Sequence, residues 1–154
     1  MFAMMTDDMS VLLSGAILKG SGHEAAARAL ETMTRDGASL DAVLAERDRA
    51  AQQEGLPLVA AVLVPVLIEA TRSFWKAYAT RIIERVAKYA GDVTVDTFRA
   101  WFLDADEDEQ QRLSDALVEK IRKAGAERGL KADDIDALID AAQPDRLAES
   151  LADA

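Results

Sequence analysis

From Leu56 to Ile68 no side chain is polar, and this run constrains the fold more than any other feature of the chain. It is too short for a bilayer-spanning helix, which needs about 20 residues. It is also too uniform for a surface helix, which shows one apolar stripe and one polar face. The segment therefore has to be wrapped by protein on all sides. A buried strand is the competing reading, because Val59, Val62, Val64 and Val66 are β-branched. Ala60-Ala61 and the helical neighbourhood favour a helix. Pro57 suits a first helical turn. Pro65 lies inside the run and predicts a kink or a restart there.

Beyond Pro65 no breaker occurs until Gly91, so one helix is expected to reach Ala90, about 39 Å if straight. Its second half is amphipathic. Trp75, Tyr78, Ala79, Ile82, Val86 and Tyr89 share one face, and Arg81, Glu84, Arg85 and Lys88 the other. Phe74 falls on the polar side. Exposed, it would be a contact residue, unless a neighbouring helix covers it.

The flanks read as shorter helices. Met9, Leu12, Leu13, Ala16 and Ile17 recur at helical spacing, with Thr6 or Asp7 placed to cap, and the glycines at 20 and 22 end the pattern. Ser21 and Glu24 have capping-box spacing for a helix over about 22–35. Ser39 is placed to cap another, with Leu40, Val43 and Leu44 inward and Gly55 as its stop. After Gly91, Thr94 is placed to cap a helix burying Phe98, Trp101 and Phe102. Asp106 and Glu109 open a long one to about Glu127, striped by Leu113, Leu117, Ile121 and Ala124. A short helix after Asp133 and a last one from Pro144 complete the chain. The expected fold is all-α: one compact bundle of about seven to nine helices around a long, Pro-kinked central helix. Residues 1–154 form a single domain, with N-terminal helices (1–55), the central helix (56–91) and acidic C-terminal helices (92–154). Leu63, Leu67, Ile82 and Val86 are expected in the core.

Charge is segregated along the chain. The formal net charge is −10. Residues 57–91 hold two acids and five bases, whereas residues 92–154 hold seventeen acids and eight bases. So acidic a chain repels phosphate backbones, which makes nucleic acid an unfavourable partner. The absence of cysteine excludes disulfides and thiolate chemistry, and the single His23 excludes a two-histidine metal site within one chain. The first ten residues carry Asp7 and Asp8 and no basic stretch, unlike a secretory signal. A cytoplasmic location, or a place in a particle assembled there, is expected, with no membrane partner. Thirty alanines point to a GC-rich bacterial or phage genome.

No constellation of residues points to catalysis or to a cofactor. His23 stands at a helix start without a nucleophile or an orienting acid. Asp104-x-Asp106-x-Asp108 opens like a calcium loop, but the sixth, eighth and twelfth positions are Glu109, Gln111 and Asp115, all wrong for one. An acidic cap on the following helix explains the same residues better. Val86 to Trp101 has a faint helix-turn-helix cadence that would offer Asp96, Thr97 and Arg99 to DNA, and the acids after it argue against that use.

These readings converge on a non-enzymatic protein–protein interaction protein: a structural, adaptor or assembly subunit of a larger complex, in the general manner of virion or connector components. The alternatives are a small acidic regulator of the inhibitor, immunity or antitoxin type, and a helical protein binding a small apolar ligand beside Trp75, Tyr78 and Trp101. The expected contact surface pairs bases at Arg72, Lys76, Arg81, Arg85 and Lys88 with acids at Asp104, Asp106, Glu107, Asp108 and Glu109. Phe74 is the expected apolar contact beside them. Opposite patches on one molecule can associate head-to-tail, so a homo-oligomer is an expected alternative to a foreign protein partner.

Overall fold

The computed structural model describes residues 2–24, 27, 28, 30 and 58–152. Six α-helices are defined among them, and no strand. They are α1 (Phe2–Gly20), α2 (Leu58–Ala90), α3 (Val95–Asp104), α4 (Glu107–Glu127), α5 (Ala132–Ala141) and α6 (Pro144–Ala152). Glu24, Ala27, Arg28 and Leu30 are helical as well. Most of the helix expected over 22–35, and all of the one expected between Ser39 and Gly55, lie outside the described residues. So do Leu56 and Pro57.

α2 is a single element of 33 residues that continues through Pro65 without restarting. The described part of its apolar run is enclosed as the sequence requires: Leu63 to Ile68 are all buried. Ile82 and Val86, a turn apart, carry the burial toward the C-terminal end. The core is shared, however, between α2 and α1. Every residue from Leu13 to Leu18 is buried, so this stretch of α1 has no solvent face. α1 packs along α2 and also touches α3, α5 and α6. The arrangement is thus a central pair of helices with the C-terminal helices packed around it, where the sequence suggested one central helix.

One buried polar contact links the two helices of this pair, while the buried Ser10 Oγ of α1 has no hydrogen-bond partner among the described residues. Thr71 donates to Leu67 O of its own helix at 2.8 Å, and its oxygen lies 3.3 Å from Ser14 Oγ of α1. Both residues are buried. The Thr71 proton is directed into α2, so Ser14 is the donor across the interface.

The helix ends follow local chemistry. At the end of α1, Gly22 N bonds to Lys19 O and His23 N to Leu18 O, with Gly22 at φ +89°. This is a Schellman closure, which needs a left-handed residue that glycine supplies without Cβ strain. Ser21 is drawn into it and donates its hydroxyl back to Leu18 O at 3.1 Å. The Ser21–Glu24 spacing therefore does not make the capping contact expected of it. α1 itself begins at Phe2, so Thr6 and Asp7 lie within the helix and do not cap it.

Thr94 does cap α3. Its side chain accepts from Thr97 N, and Thr97 Oγ1 accepts from Thr94 N, closing a reciprocal box. Asp106 Oδ1 accepts from Glu109 N at 2.8 Å and caps α4. α5 starts one residue before Asp133, leaving Asp133 and Asp134 in its first turn, where the helix dipole favours carboxylates. Ser114, buried in α4, donates to Ala142 O at 2.7 Å and ties that helix to the end of α5.

Candidate functional site

Of the residues expected to form a contact surface, Arg81, Arg85 and Glu109 meet at the joint between α3 and α4. α2 and α4 run antiparallel and are clamped at both ends. At one end Arg128 Nε meets Glu69 Oε2 at 2.9 Å. At the other, Arg85 Nε lies 3.0 Å from Glu109 Oε1, and Arg81 reaches the other carboxylate oxygen at 3.7 Å. The Glu109 side chain is only 13% exposed. One largely enclosed carboxylate is thus held between two half-exposed guanidiniums.

A stripe on α2 reads the joint. Arg81, Arg85 and Tyr89 are spaced at i, i+4 and i+8 and so share one helix face. The two arginines take Glu109, and Tyr89 faces Asp104. The negative charge of Asp104 holds the Tyr89 hydroxyl above the usual tyrosine pKa; slight desolvation and the hydrogen bond to the Asp104 carboxylate act in the same direction. Gln110 closes the joint from the inside by donating Nε2 to Phe102 O at 2.8 Å.

The sequence-derived contact set is therefore redistributed. The bases at 81 and 85 and the acid at 109 are partners within one chain and are not separate patches waiting for another copy. Asp106 is engaged in capping. Lys76, Lys88, Asp104, Glu107 and Asp108 are exposed, and Arg72 is half-buried and already engaged. Phe74 is not a surface contact. It is 2% exposed and stacks on Tyr78 with ring centroids 5.5 Å apart. Phe74 lies next to Trp75 on a stretch of α2 whose core-facing arc is wide enough to bury both, which the two-faced reading of the helix missed.

The other candidate chemistries lose their surface residues. Trp75 and Trp101 are both buried, and Phe98 packs against Trp101 at 5.9 Å between centroids. No described helix is long and apolar enough to cross a membrane. Of the three residues a DNA-reading helix would present, Thr97 is committed to its cap and Asp96 pairs with Arg99 at 3.6 Å. Asp104, Asp106 and Asp108 are divided between Tyr89, a helix cap and solvent, and no metal-holding group of acids or histidines occurs among the described residues.

Sequence reasoning placed Tyr89 on the buried face and passed over Leu103. Both are exposed, at 49% and 39%, and they are the large hydrophobic side chains most open to water among the described residues. Tyr89 sits in the last turn of α2, past the end of the core, and the helix period alone cannot register where the core stops. A small cleft of about 130 Å³ lies elsewhere between α2 and α4, lined by Glu69, Ser73, Lys120, Lys123 and Glu127. Its charges are mixed and no single chemistry dominates it.

No protein-family model matches the chain, and neither the curated proteins nor the solved structures contain a match to it.

Proposed function

We propose that this chain is a non-catalytic protein–protein interaction protein, acting as a structural, adaptor or assembly subunit of a larger complex. The observation that carries the reading is the α3–α4 joint. It is anchored to α2 by Arg81 and Arg85, and the exposed Tyr89 and Leu103 accompany exposed carboxylates, Glu107 and Asp108, that make no ion pair among the described residues. A pre-organised backbone lowers the ordering cost of association, and aromatic side chains at the centre of a patch carry much of the energy in protein contacts.

A native mass measurement tests this. Cell extract and purified protein are run on size exclusion with light scattering, at low and high salt. A subunit of a larger complex elutes far above 16.7 kDa in extract. A chain that stays monomeric and partner-free in both samples overturns the reading.

The acidic-regulator alternative draws support from α5, where Asp133, Asp136 and Asp140 are exposed at helical spacing along one face. That row suits a basic target surface. A single small one-to-one complex in extract, in place of a large particle, would favour it.

A further inference from the structure

We draw no further inference here: the strongest candidate, the cleft between α2 and α4 lined by Ser73, Lys120 and Lys123, carries nothing because Glu69 and Glu127 line it as well and nothing in the structure shows what would occupy it.

Discussion

Arg85 Nε lies 3.0 Å from Glu109 Oε1, and this contact converts what looks in the sequence like two complementary surfaces into an internal clamp. The basic run of α2 and the acidic run before α4 are separated in the chain, but the antiparallel packing of the two helices brings them together. Charge that could have recruited a second copy is spent in fixing the joint between α3 and α4.

Charge reversal at this point should therefore act on folding before it acts on association. Replacing Arg81 and Arg85 with Glu sets two new acids against the enclosed Glu109 carboxylate. The urea midpoint should fall by the equivalent of about 1 kcal/mol, the scale of a well-formed ion pair near the surface. Adding Glu109→Lys should recover part of the loss, as expected for residues that couple directly. Denaturation with and without 1 M salt checks the origin, since screening should narrow the gap between wild type and double mutant.

Phe74 separates a core role from a contact role. Phe74→Ala should cost about 3–5 kcal/mol, because a buried ring is lost and a cavity remains. Lys76→Ala, two positions on and exposed, should cost under about 0.5 kcal/mol. A Phe74→Ala protein with an unshifted melting curve would contradict the packing described for α2.

Ser114→Ala should destabilise by about 1–3 kcal/mol, more than the loss of one hydroxyl suggests. The change leaves the Ala142 carbonyl without its buried donor at the close of α5. Calorimetric melting measures the loss, and hydrogen exchange should show α5 and α6 opening more readily than α2.

Tyr89 offers a local reading of pH. Its neutral form is favoured in the folded chain, because a phenolate there would face the Asp104 carboxylate. Its folded pKa therefore lies above its unfolded one. The associated stabilisation is present below the unfolded tyrosine pKa and is lost as pH rises through the folded value. Ultraviolet titration of the phenolate band should find one tyrosine ionising late, and Asp104→Asn should return it toward the ordinary value. An identical titration curve in the variant would mean that the two groups do not face each other.

Much of the local structure is legible in the residues themselves. The apolar block around Leu63 to Ile68 has no alternative to burial. Thr94 and Asp106 cap the helices that follow them because their oxygens meet amides three residues on, a short-range geometry. Gly91 and Gly129 end α2 and α4, and the stripe from Leu113 to Ala124 faces inward as its period requires. The failures are equally specific. Ser21 had the spacing of a cap, but the closing turn of α1 claimed its hydroxyl. Of the kink or restart expected at Pro65, the restart does not occur, since α2 is one helix through that position.

What the sequence by itself determined is that the described segments are helical, where several of them end and most of the residues that turn away from water, since these depend on neighbours within about four positions along the chain. The tertiary structure alone decided that α1 shares the centre with α2, that Phe74 is inside and Tyr89 partly outside, and that Arg81 and Arg85 answer Glu109. Each of these depends on which helix lies across from which and on where the core ends. No periodicity along the chain carries that information, because packing partners are chosen by the summed shape and charge of whole faces distant in sequence.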